Sequence, residues 1–208
     1  IQFCLSIKVL FKLQYSRNAS RRAWSFMTGT RSSNSAISAY TVGASVSVYA
    51  SIVGSTSLNF TRKDVEASVS DSVLTATAGD IRIHAQDTSS IISASAQLSV
   101  AVYGGSVGVT VAHNDIANTI EASSTNAQLI AEQGSVIIDA DSSSINMNLV
   151  AGASYGTFFS GAGNSGSALI NNNVIAFAEG RSQTAQDGEA DIQAYDNVLI
   201  HADSSDRN

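Results

Sequence analysis

The residues best suited to chemistry fall at one repeated place. The phrases IRIHA (Ile81–Ala85), VIIDA (Val136–Ala140) and VLIHA (Val198–Ala202) share a frame whose fourth residue is His84, then Asp139, then His201. Imidazole and carboxylate are ligands for zinc and related cations, so a His/Asp/His stripe on one face could bind such a metal. If each copy of the phrase belongs to a unit of two or three rungs, the three residues stand too far apart to share an ion. They are then expected to be solvated residues of a strand face. Asp87, Asp139, Asp141, Asp203 and Asp206 form a second series. Calcium needs six to eight oxygens in a defined loop, and neither the EF-hand pattern nor the Gly-Gly-x-Gly-x-Asp nonapeptide is present. Asx and Ser turns at strand ends account for these aspartates.

Arg62, Lys63, Asp64 and Glu66 make the densest charged cluster, and a solvated loop is its expected setting. Asn114, Asn171, Asn172 and Asn173 read as an asparagine ladder or as corner residues. Asn18 and Asn59 lie in N-x-S/T sequons, which matter only in a eukaryotic secretory route. The glycine-rich stretch Asn148–Ala168 has no Gly-Lys-Ser/Thr ending and is no phosphate loop. Tyr155 there keeps step with Tyr49 and Tyr103, and Phe158 and Phe159 follow it. Exposed together, Tyr155, Phe158 and Phe159 would form an adhesive apolar patch. No residue is assigned to catalysis, to a cofactor or to a metal.

These residues must be carried by something regular. The chain has 208 residues, 44% of them hydrophobic and 13% charged, and it has no proline. Proline cannot donate to a ladder, so its absence suits a backbone committed to strand pairing. Serine and alanine are the two commonest residue types, a bias that fits small side chains stacked in tight layers. The stretch from Ile1 to Arg31 holds six basic residues and no acid, and the remainder holds five basic and seventeen acidic residues, a net of −12. An acidic body argues against nucleic acid as a partner. Cys4 is alone, so no intrachain disulfide forms, and no uninterrupted apolar run is long enough to mark a transmembrane segment. Residues 1–35 contain the only Trp and the only Cys. They read as a basic leader outside the fold; an export-signal remnant is the alternative.

From Ala36 onward the pattern is period two. Val42, Ala44, Val46, Val48, Ala50 and Ile52 alternate with Thr, Gly, Ser and Tyr, which predicts a strand with the apolar side buried. The text then repeats. Val65–Ser68 returns as Ile120–Ser123, and Leu74–Ala85 returns as Leu129–Ala140, both at the same offset along the chain. A looser copy runs from Ile192 to Ala202. Gly79 and Gly134, with Asn197 in the third copy, are expected to hold a left-handed turn between two short strands. About three tandem copies result, near 36–90, 91–144 and 145–206. With 7% aromatic residues a string of sandwiches is a poor fit, and three copies cannot close a propeller. The expected fold is all-β, a parallel β-solenoid (β-helix) in which each copy winds two or three rungs.

The cycle of an alternating Gly/Ala/Val-rich stretch, a phrase such as HNDIANTIEAS (His113–Ser123) or INNNVIAFAEG (Ile170–Gly180), and GSVIIDADSS (Gly134–Ser143) resembles the repeats of very large secreted bacterial adhesins. These are the filamentous haemagglutinin-like and leukotoxin-type exoproteins, and the resemblance covers about 36–206. It implies a stalk-like segment of a longer chain, located outside the cell or on the bacterial surface. The partners it implies are glycans or matrix proteins of a host or neighbouring cell. It offers no catalytic residue to transfer. A polysaccharide-cleaving β-helix enzyme is the alternative, with Arg62, Lys63, Asp64 and Glu66 as its candidate site.

Overall fold

The computed structural model describes residues 27–180 and 192–208, and every regular element among them is a strand. Three long strands, β1 (Met27–Ser47), β4 (Ile81–Ala101) and β7 (Val136–Gly156), each hold 21 residues and pair in parallel with the shorter β11 (Val198–Arg207) in the order β1-β4-β7-β11. A second sheet joins β2 (Ala50–Ser70), β5 (Gly105–Thr125) and β8 (Phe159–Ile170). In it β9 (Asn173–Glu179) continues beyond β8 along the far end of β5. The third sheet is narrow, with β6 (Gln128–Ala131) between β3 (Val73–Ala76) and β10 (Ile192–Ala194). One circuit of chain is therefore a long strand, a tight turn, a second long strand and a short strand. The next circuit lies in register upon it.

The parallel β-solenoid expected from the repeats is what the chain builds, but each repeat makes one circuit and not two or three. Met27 pairs with Ile81, Ile81 with Val136 and Ala50 with Gly105, so the pairing offset equals the sequence period. Polar phrases such as Gln86–Ser90 do not end a strand. They lie within β4. The sheet also runs through the 35/36 boundary, because β1 begins at Met27 and stays in register with β4 from there; residues 1–26 lie outside the described ones. Gly79 has the expected left-handed backbone (φ 87°), whereas Gly134 and Asn197 do not. Gly134 is needed for a different reason: a Cβ there would stand 2.4 Å from the Gly79 carbonyl oxygen of the circuit beneath. Among the described residues the non-glycine residues with positive φ are Asp71 and Asn126, at 50° and 52°, stacked at the turn before the short strand. Their side chains hydrogen-bond to each other.

Each circuit has two parts. Where the three sheets meet, the interior is aliphatic: Val65, Ile83, Ile120, Leu129, Val136 and Ile138 are buried with a column of alanines. Alternation supplies one inward residue in two, and alanine at Ala85, Ala122, Ala131 and Ala140 lets the three walls close. Beyond this lobe the two long sheets continue as a flat blade that ends at the tight turn. In the blade the sequence expectation is reversed. Val42, Val46 and Ile52 point outward and are largely exposed, while Ser51, Ser99 and Thr110 point inward and are buried. Alternation does divide the strand into two faces, but the polar one is inside.

This assignment of faces has a direct test in chemical denaturation. Ile138→Ala in the lobe is expected to lower stability by about 2–5 kcal/mol. Val46→Ser in the blade, 74% exposed, should leave it within about 0.5 kcal/mol.

Candidate functional site

The blade is distinctive first in what it lacks. Residues 32–61, 88–114 and 142–178 contain no Asp, Glu, Lys or Arg. The circuits stack these uncharged stretches on one another, so the acids and bases of the described residues fall on the lobe or at its junction with the blade. Small polar residues predominate in the blade interior, beside the buried Ile91 and Ala112, and many of them bind one another. The hydroxyls of Thr41 and Ser95 are 2.8 Å apart, as are those of Ser51 and Ser99 and those of Ser106 and Ser154. Asn114 Oδ1 accepts from Asn59 Nδ2 (2.9 Å) and Ser93 Oγ (3.0 Å), while Asn114 Nδ2 donates to the Met147 carbonyl. Burial of polar groups is offset by bonding of this kind, which the Thr110 hydroxyl and the Gln97 amide lack. Of the asparagines expected in a ladder, Asn114 pairs with Asn59 but meets Ala168 on β8, while Asn171 and Asn172 lie at the corner between β8 and β9. Asn59 is buried and bonded, which removes it as a glycan acceptor; Asn18 lies outside the described residues.

With the polar side turned in, the outer faces carry the apolar side chains in register. On one face Val46, Val100 and Tyr155 are neighbours on adjacent strands, as are Ala44, Leu98 and Ala153. On the other, Ile52 neighbours Val107. Aromatic residues mark the blade's narrow edge. Tyr49 and Tyr103 occupy successive tight turns, and Phe158 occupies the third; Tyr155 is not their equivalent but stands within β7, opposite Val100. The turns stack closely: Tyr103 N–H donates to the Val48 carbonyl at 2.7 Å, and a Cβ on Gly104 would lie 1.5 Å from the Tyr49 carbonyl oxygen. Tyr155, Phe158 and Phe159 are all exposed, Phe158 at 83%. The Phe159 ring lies over Gly105, where a Cβ would meet it at 2.0 Å.

The charged candidates fare differently. Arg62, Lys63, Asp64 and Glu66 lie within β2, not in a loop, and alternation divides them. Arg62 reaches outward to Asp115 at 3.5 Å. Lys63 turns inward at the junction of lobe and blade and donates to Asp87 Oδ1 at 2.6 Å. Asp87 is fully buried, and its other oxygen accepts from Asn118 Nδ2 (2.9 Å) and Ser89 Oγ (2.8 Å). The aspartates assigned to turns are strand residues throughout, because their phrases sit inside β4, β7 and β11.

His84, Asp139 and His201 occupy adjacent strands in register, so the separation expected from several rungs per copy does not exist. His84 Nδ1 is 2.9 Å from Asp139 Oδ1 and 3.8 Å from Asp141 Oδ2. Arg82 donates to Asp139 from the side, and this bond, with the charges of Asp139 and Asp141, holds its guanidinium above the ordinary arginine range against the effect of burial. Sequence reasoning finds the equivalence of the three positions. It misses Asp141 as a partner of His84, since a two-residue offset between strands of different circuits leaves no local signal.

Among these arrangements the Lys63–Asp87 pair governs the joint between the two parts. Lys63→Met should cost about 3–5 kcal/mol in denaturant melts, because it strands a buried carboxylate. The double variant Lys63→Met/Asp87→Asn should lose less than the sum of the single losses, as expected for directly coupled residues. No helix among the described residues is long and apolar enough to cross a membrane. No family model matches the chain, and no curated protein or solved structure matches it either.

Proposed function

We propose that this chain is a non-catalytic stalk and interaction segment of a secreted or surface-attached bacterial adhesin. The observation that carries the reading is the inverted blade, whose uncharged outer faces hold apolar side chains in register and whose edge is lined by Tyr49, Tyr103 and Phe158. Soluble monomers seldom leave contiguous apolar surface open, and such surface marks a place of contact. Stacked circuits repeat the contact at the spacing of neighbouring strands, about 4.8 Å. Several shallow contacts of this kind on one rigid body add by avidity, without any deep pocket. Tyr155, Phe158 and Phe159 are the residues of the third circuit that present this surface. The proposed partners are glycans or matrix proteins of a host or neighbouring cell, met outside the bacterium. Sugar rings offer apolar faces that stack on exposed aromatic side chains, which suits the edge.

The test incubates the purified chain with immobilised polysaccharides and matrix proteins and scores both retention and the release of new reducing or unsaturated ends. Retention without cleavage is expected. Phe158→Ser should reduce retention by about tenfold, roughly the equivalent of 1.4 kcal/mol, while leaving the melting temperature unchanged. Release of new ends would replace this reading with a glycan-cleaving enzyme, and absence of retention on every support would overturn it.

A further inference from the structure

We infer that His84, Asp139 and Asp141 form a binding site for a first-row divalent cation of the zinc type, with His201 as the ligand that the following circuit contributes. The nitrogen of His84 and one oxygen from each carboxylate all lie within 4.8 Å of one another. Atoms bound at about 2.0–2.2 Å to one tetrahedral ion stand roughly 3.4 Å apart. The two distances from His84 Nδ1, 2.9 and 3.8 Å, bracket that value.

The arrangement also has a deficit that a cation removes. Two carboxylates converge on one imidazole nitrogen, and that nitrogen can give a proton to only one of them. Asp139 takes the short contact. Asp141 is left with the 3.8 Å approach and no hydrogen bond among the described residues. Asp203, in register with Asp141 on β11, adds a third carboxylate to the same face. Arg82 offsets part of this charge: its Nη2 donates to Asp139 Oδ2, and its Nε reaches Oδ1, the oxygen facing His84, only at 3.4 Å. A carboxylate held by an arginine, with one oxygen turned to the imidazole, has the orientation that an outer partner gives to a metal ligand.

His201 is the fourth element. It neighbours Asp139 on the side opposite His84, and in-register residues of a parallel sheet project from the same face. Its side chain is exposed and free to turn toward the two aspartates. A mixed imidazole and carboxylate set suits zinc better than calcium or magnesium, which prefer oxygen alone. An ion held there would tie β4, β7 and β11, three successive circuits, on the outside of the lobe. His113 is at a separate place, bonded to Ser167 Oγ at 2.6 Å, and serves as the internal control.

The experiment uses the whole chain freed of metal by a chelator, titrated with Zn²⁺ and separately with Ca²⁺ in a calorimeter, with melting temperature followed in parallel. One Zn²⁺ per chain is expected, with a melting temperature raised by Zn²⁺ and not by Ca²⁺. His84→Gln and Asp141→Asn should each weaken binding at least about tenfold, the scale of losing a ligand or its support, and His113→Gln should leave it unchanged. Asp141 is exposed enough for its variant to fold, so it decides the matter should His84→Gln fail to. Absence of stoichiometric Zn²⁺ binding, equal binding of Ca²⁺, or undiminished affinity in Asp141→Asn would overturn the site. Undiminished affinity in His201→Gln would remove His201 from it.

Discussion

Everything in this molecule follows from one requirement: the backbone of each strand must bond to the equivalent residue one circuit away. A parallel ladder commits every N–H and C=O to its neighbours, so the circuits must match in length and in path. This is why Met27 meets Ile81, Ala50 meets Gly105 and Val73 meets Gln128, with nearly the same offset in all three sheets of the first two circuits. It is also why a chain of 208 residues contains no proline. A strand of 21 residues such as β4, far beyond the usual five or six, is sustained because the circuits above and below hold it along its whole length.

The same requirement places like residues in columns, and the columns have solved the problem of the interior twice. In the lobe, isoleucine, valine and leucine stack with alanine and exclude water, the ordinary source of folding free energy. In the blade, serine, threonine and asparagine stack and bond to one another, Ser51 to Ser99 and Ser93 to Asn114 across the two sheets and Asn59 to Asn114 along one. Such a layer contributes little net stability, but it pairs many of its buried polar groups, the Gln97 amide and the Thr110 hydroxyl excepted, and small side chains let the sheets approach. Gly108 and Gly152 show how close the fit is, since a Cβ on either would strike the Gln97 amide. The valines and tyrosines that a conventional strand would bury are thereby released to the outside.

Repeat length, strand periodicity and the solenoid are legible in the sequence because they are properties of one chain read along its length. The number of circuits per repeat is not, since Gln86–Ser90 looks like a turn wherever local composition is the guide, and only the ladder to β7 keeps it extended. The buried face of Val42–Ile52 escapes the sequence for a related reason. Alternation identifies two faces, and assigning the apolar one to the interior presumes that burial of hydrocarbon decides the matter. Here Ser51 finds Ser99 across the blade, and Thr41 finds Ser95, and mutual bonding decides it instead. The stripe through His84, Asp139 and His201 is visible as an equivalence of position, but its distances depend on the circuit count and are lost with it. The exposure of Phe158 and Phe159 is legible, because no alternating partner exists for two adjacent phenylalanines.

The tight turns at the blade edge hold a small irregularity. They run from Ser47 to Ala50, from Ala101 to Gly105 and from Gly156 to Phe159, so the second carries one residue more than the others. Opposite faces alternate residue by residue along a strand, and an odd change of length within one turns it inside out. Losing a single residue from the start of β5 would carry Val109 and Val111 into the polar interior and put Thr110 outside. The same loss at Gly104 shortens a corner and leaves both sheets facing as before. Length variation in such a chain is thus filtered by place: corners can gain or lose single residues, while strands can change only by pairs.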